Sequence, residues 1–221
     1  MSKFTNFFKE NWTPTIIITL FILVVVFGCA LFKQSEHSLI KRNYALEIYH
    51  DNIELTYEGA RAELVKTIDL VIREVAPTTC MNGLAILRGC EKYDVDLFFV
   101  LAQGQLESHY GTKGLAQKTN SVFNVFAYDG HNYDQITQKG KYEHPDLSIE
   151  PYLELISKCY LVNGKTEKDL MVEYVNESGK RYATSELYEG NLLGIYNKLM
   201  ENDTLVNAYR EYVKYKVLSG N

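Results

Sequence analysis

The chain has 221 residues, enough for one compact domain plus an appendage. Its formal net charge is −5, and the part after Arg42 is more acidic still, which excludes a nucleic-acid binder that relies on a positive surface. The five histidines are scattered and form neither HExxH nor a close His/Cys group, so no metal site is expected.

Thr15 to Phe32 reads TIIITLFILVVVFGCALF without a charge, at the short end of what spans a bilayer. Trp12 stands just before it, where an interfacial aromatic belongs. Lys3 and Lys9 precede the run while Lys33, Lys41 and Arg42 follow it, so charge does not set its orientation. The chemistry-bearing residues all lie C-terminal to it. The expectation is a single-pass membrane anchor over 1–36, held through 15–32, with the remainder in the periplasm or otherwise outside the cytoplasm. Val26-Phe27-Gly28-Cys29 loosely resembles a lipoprotein cleavage box, and lipid attachment at Cys29 is the alternative.

Residues 37–84 read as a connector and a helical extension. Leu64, Ile68, Val71, Ile72 and Val75 recur at helical spacing between Leu55 and Val75, and Pro77 ends the run. Cys80 and Cys90 either pair in an oxidising compartment or stay free thiols. Ala85–Tyr93 is a short helix, and Asp94 or Asp96 can cap the next one. Leu97–His109 is apolar on most sides, as a central buried helix is, and Gly111 and Gly114 end it. Asn120–Asp129 is short and aromatic. Gly130–Asp146 is polar and reads as a loop or a small two-stranded lobe over a cleft. Helices follow at Ser148–Tyr160, Lys165–Val175, Glu186–Asn202 and Asn207–Leu218. The predicted fold class is mainly α, a helical domain with a short irregular or β lobe, plus the N-terminal transmembrane helix.

Glu107 ends the most apolar helix, in the run Leu106-Glu107-Ser108-His109-Tyr110-Gly111. A carboxyl against an apolar wall keeps its proton to higher pH, which is what a general acid requires. Tyrosine is abundant, 17 residues against a single Trp, and tyrosines often line polar binding surfaces.

The motifs stand in a definite order. Ala102-Gln103 precedes Leu106-Glu107-Ser108 and Gly111. Leu115-Ala116 follows, then Asn120 with Phe123-Asn124-Val125-Phe126. Tyr142, Ser148-Ile149 with Tyr152, and Tyr182-Ala183-Thr184 complete the series. From Ala85 to Leu199 this order resembles the glucosaminidase family of peptidoglycan hydrolases, which includes flagellar and autolysin-type N-acetylglucosaminidases. The resemblance implies a lysozyme-like helical fold, with 85–202 as the catalytic domain and 203–221 as a C-terminal helix outside it. It implies an endo-beta-N-acetylglucosaminidase acting on peptidoglycan glycan strands, at the β-1,4 bond between N-acetylglucosamine and N-acetylmuramic acid. Glu107 would be the general acid. Tyr182 would lie across the cleft, holding a substrate group or the reacting water, or stabilising developing charge. Asn120 and Phe123 would shape the sugar groove, and Phe126, Tyr128 and Tyr142 would offer flat surfaces to sugar rings.

The chain departs from the family at the second carboxylate. The T-E-x-x-N-G-like strand that carries it elsewhere is missing, and the lobe offers Asp129, Asp134, Glu143 and Asp146. An inverting mechanism needs a second carboxylate roughly 6.5–9.5 Å from the first. Asp129, in the Ala127-Tyr128-Asp129-Gly130 turn, ranks first. Assistance by the substrate's own N-acetyl group is the alternative. Acetal hydrolysis needs only acid, water and charge stabilisation, so no cofactor is implied. Two rival readings are a non-catalytic peptidoglycan-binding module and a structural component of an envelope-spanning or viral machine.

Overall fold

The computed structural model describes residues 23, 25, 39, 41–49, 51–54, 56–127 and 132–220. They fall into two compact units, Met1–Leu55 and Thr56–Asn221. In the first, residues 41–49 and 51–54 are helical.

The second unit is mainly helical. Helix α1 covers residues 56–75, and its spaced apolar side chains bury Leu64, Ile68 and Ile72. Pro77 follows two residues after its end. Helix α2, Gly83–Tyr93, starts at Asn82, whose side chain accepts the Ala85 amide at 2.9 Å. Helix α3, Leu97–Ser108, starts at Asp96, whose carboxylate accepts the Phe99 amide at 2.7 Å. Every residue of α3 from Leu97 to Gly104 is buried. An apolar surface all round needs partners all round, and α3 packs against α2 and a later helix, α7 (Tyr188–Met200).

Two short helices, α4 (Ala116–Thr119) and α6 (Glu167–Leu170), flank α5 (Ile149–Cys159) in the chain. Helices α7 (Tyr188–Met200) and α8 (Asp203–Ser219) complete the unit. Gly89 of α2 lets α5 approach closely, because a Cβ there would stand 2.6 Å from Leu153 Cδ1.

One polar lock ties three helices. Arg61 of α1 donates from Nε and Nη2 to the two oxygens of Glu91 on α2, at 3.0 and 2.8 Å. Tyr212 of α8 donates to the same carboxylate at 2.9 Å. Burial pushes the Glu91 carboxyl up, but the bonds from Arg61 and Tyr212 outweigh it and leave its pKa below the ordinary value. A depressed carboxyl stabilises the fold above its unfolded pKa and loses that contribution as pH falls through the folded one. Tyr212→Phe is therefore expected to cost about 1 kcal/mol at neutral pH, with the deficit shrinking under acid. Urea unfolding of both proteins at neutral and acidic pH checks this.

The expected fold class needs correction in two respects. No β lobe forms among the described residues. The polar stretch instead makes three 3₁₀ turns, Tyr133–Gln135, Gln138–Gly140 and Pro145–Ser148, each closed by local bonds. Asn132 caps the first, and Pro145 starts the third without needing an amide. The extended pairing described is a single isolated bridge, Val175 to Arg181.

The expected transmembrane helix is the second correction. Among the described residues no helix is long and apolar enough to cross a membrane. A span needs about 20 consecutive apolar residues, whereas the most apolar described helix, α3, has 12 and is spent on the core. Of Thr15–Phe32, only Leu23 and Val25 fall within the described residues, and Trp12 and Cys29 lie outside them. The membrane partner, the single-pass location and the lipoprotein alternative are withdrawn accordingly. Cys80, Cys90 and Cys159 are free thiols, so the Cys80–Cys90 pairing is not made. Helix α6 is also much shorter than Lys165–Val175. Thr166 and Asp169 cap its start, and beyond it the Tyr174 amide goes to the Glu189 carboxylate, not to a helical carbonyl.

Candidate active site

The last turn of α3 carries Glu107 to the floor of a cleft of about 690 Å³. The helix must stop there. His109, Tyr110 and Gly111 all take positive φ, at 47°, 52° and 84°, and their left-handed conformation turns the chain away. Ser108 fixes the turn by accepting the Gly111 amide and donating to the Val122 carbonyl. Gly104, one turn earlier, leaves room for the rings of Tyr110 and Phe123; a Cβ would lie 3.2 Å from Tyr110 Cδ1.

Three side chains surround the Glu107 carboxyl. Tyr188, at the start of α7, donates its hydroxyl to Oε1 through a short contact. Asn124 donates to Oε2 at 3.0 Å, and also to the Glu107 backbone carbonyl at 3.0 Å. Gln103 of α3 reaches Oε1 at 3.5 Å and donates to the Tyr188 hydroxyl at 2.6 Å. Desolvation raises the Glu107 pKa above the ordinary value, against the opposing pull of the Tyr188 and Asn124 bonds. The arrangement can therefore present a protonated carboxyl, oriented from three sides, to a group entering the cleft.

Behind the carboxyl lies a cluster of tyrosines. Tyr182 stacks on Tyr174, with centroids 4.7 Å apart, and Tyr188 and Tyr160 flank the pair. The Tyr182 hydroxyl donates to the Phe123 carbonyl at 2.9 Å, so this tyrosine fastens the segment that bears Asn124. Burial raises the Tyr182 and Tyr188 pKa well above the ordinary value, which keeps both phenols as donors.

The site residues read from the sequence are partly brought together. Glu107, Tyr182, Phe123 and Phe126 line the cleft. Phe126 is 41% exposed and offers its ring. The Phe123 side chain is turned into the core, stacked on Tyr152 with centroids 3.9 Å apart. Asn120 and Tyr142 are joined to each other, the Asn120 amide donating to the Tyr142 carbonyl at 2.8 Å, but neither lines the cleft. Tyr128 and Asp129 lie outside the described residues. Asp134 and Glu143 are exposed, and Asp146 is taken up by the amides of Asn82 at the start of α2. Among the described residues lining the cleft, Glu107 is the only carboxylate, and no group of three or more possible metal ligands occurs.

Sequence reasoning assigned no role to Tyr188, Asn124 or Gln103. Asn124 and Gln103 stand inside the quoted motifs. Tyr188 stands six residues after Tyr182, just where a new helix starts, and its partner is 81 residues away.

The result is a helical domain with a desolvated carboxyl, Glu107, at the cleft end of its central helix. Residues 84–201 match the protein family described as Glucosaminidase, mannosyl-glycoprotein endo-beta-N-acetylglucosaminidase, and the chain belongs to that family. The match bears out the resemblance read from the motif order. No curated protein matches the chain.

Proposed function

We propose that the chain hydrolyses peptidoglycan glycan strands at the β-1,4 bond between N-acetylglucosamine and N-acetylmuramic acid, with Glu107 as the general acid. The observation that carries this reading is the Glu107 carboxyl, desolvated at the cleft floor and held by Tyr188 and Asn124. Protonation of the leaving oxygen as its bond breaks needs a carboxyl that is still protonated near neutral pH. Tyr182 acts in this scheme by bracing the Phe123–Asn124 segment, and Phe126 receives a sugar ring. Asp129 is the proposed base for water.

Digestion of purified sacculi followed by mass spectrometry of the products tests the bond assignment. New reducing ends on N-acetylglucosamine are expected, and reducing ends on N-acetylmuramic acid alone would reject it. Asp129→Asn is expected to lower turnover roughly 10²-fold. If Asp129→Asn keeps the parental rate, the role passes to the acetamido group of the substrate.

A further inference from the structure

The cleft also has a charge pattern. Of its charged lining residues among those described, Glu107 is the one acid, and Lys180 and Arg181 are the cations. The chain as a whole carries −5. Cations that line a cleft of an acidic protein draw anions to it, although Arg181 is itself paired with Glu189 behind it.

Both cations come from one built turn. Val175 and Arg181 form an antiparallel bridge, and the Asn176 amide donates to the Lys180 carbonyl at 2.9 Å. The Asn176 side-chain oxygen accepts the amides of Ser178 and Lys180 at 3.0 and 2.8 Å. Gly179 supplies the positive φ of 78° that closes the turn. Arg181 is then fixed from behind. Its Nη2 donates to both oxygens of Glu189 at 2.7 Å, and its Nε donates to the Ala183 carbonyl at 3.2 Å. The Glu189 side chain is 10% exposed and that of Arg181 is 42% exposed. The pair thus keeps its acid inside and its base toward solvent, and ordering the guanidinium beforehand lowers the cost of binding.

We propose that Lys180 and Arg181 form a subsite for a carboxylate borne on the glycan strand. This rests on the peptidoglycan reading above. N-acetylglucosamine is neutral, whereas the lactyl ether of N-acetylmuramic acid carries a carboxylate and stem peptides carry more. The subsite would set muramyl strands apart from neutral polymers of N-acetylglucosamine.

The test uses the full chain carrying Glu107→Gln, so that strands are held and not cut. Calorimetry compares peptide-free strands, the same strands with their carboxyls methyl-esterified, and intact peptide-bearing strands. Esterification is expected to weaken binding about tenfold at low salt, as loss of charge-assisted contacts does. Lys180→Ala should shrink that difference to about threefold, and Arg181→Gln should shrink it as well. Lys180→Ala leaves the Arg181–Glu189 pair untouched, so it remains informative if the Arg181 variant fails to fold. A preference seen only with peptide-bearing strands, and erased by Lys180→Ala, supports the subsite and assigns its carboxylate to the stem. Equal affinity for all three kinds of strand, or equal weakening of all three by Lys180→Ala, overturns it. Turnover by the parent chain is scored separately. A parent that fails to cut strands while the carboxylate preference holds rejects the hydrolase reading and leaves the subsite standing.

Discussion

Glu107→Gln is expected to lower muropeptide release roughly 10²–10⁴-fold, the usual contribution of general acid catalysis. The replacement keeps size and shape and removes the titrating proton. The new amide finds partners in place. Its oxygen can accept from Tyr188, and Asn124 can turn to offer its own side-chain oxygen, which has no partner in the parent. Stability should not suffer. A carboxyl whose folded pKa is raised contributes its full stability below the unfolded pKa and loses it as pH rises through the folded one. An amide that stays neutral escapes that loss, so the variant should melt no lower than the parent at neutral pH. Tyr188→Phe is the companion. It removes a bond that favours the Glu107 anion, so the alkaline limb of the pH–rate profile should move to higher pH, with a rate loss smaller than that of Glu107→Gln. A folded Glu107→Gln variant that retains near-parental turnover would exclude Glu107 as the acid.

Phe123→Ala is expected to be the most damaging single change to stability in the site region, at about 3–5 kcal/mol. The ring is 1% exposed and lies flat on Tyr152. Its loss opens a void that neither Tyr152 nor Tyr110 can fill without leaving its own contacts. The neighbouring Asn124 would lose its seat, so turnover should fall along with stability. Phe126→Ala is the contrast, because that ring is exposed at the cleft. It should weaken glycan binding and leave the urea midpoint nearly unchanged. A Phe123→Ala protein that unfolds at the parental midpoint but binds strands poorly would return Phe123 to the groove.

The helices were legible because their causes are local. Asp96 before α3 and the apolar spacing of α1 and α5 are readable from near neighbours. The same locality explains the failures. Lys165–Val175 has helical composition, but the carboxylate that takes the Tyr174 amide comes from Glu189, on another helix. The polar stretch before Ser148 was open between loop and strand on composition alone, and local caps decided for turns. In the cleft, the position of Glu107 follows from the apolar run that precedes it. Its partners do not, since Tyr188 reaches it across 81 positions and Asn124 across 17. Phe123 illustrates a further limit: its motif put it near the cleft, but nothing local tells which way its ring points.

The carboxyl is furnished by α3, its phenol by α7 and its amide by the irregular segment between α4 and the first 3₁₀ turn. None of these elements holds the constellation alone. A compact state with helices intact but packing loosened would keep its far-ultraviolet spectrum, yet the groups around Glu107 would have drifted apart. Enzymatic competence should consequently disappear before helical content on gentle heating or mild denaturant, making turnover the earliest gauge of damage to this protein.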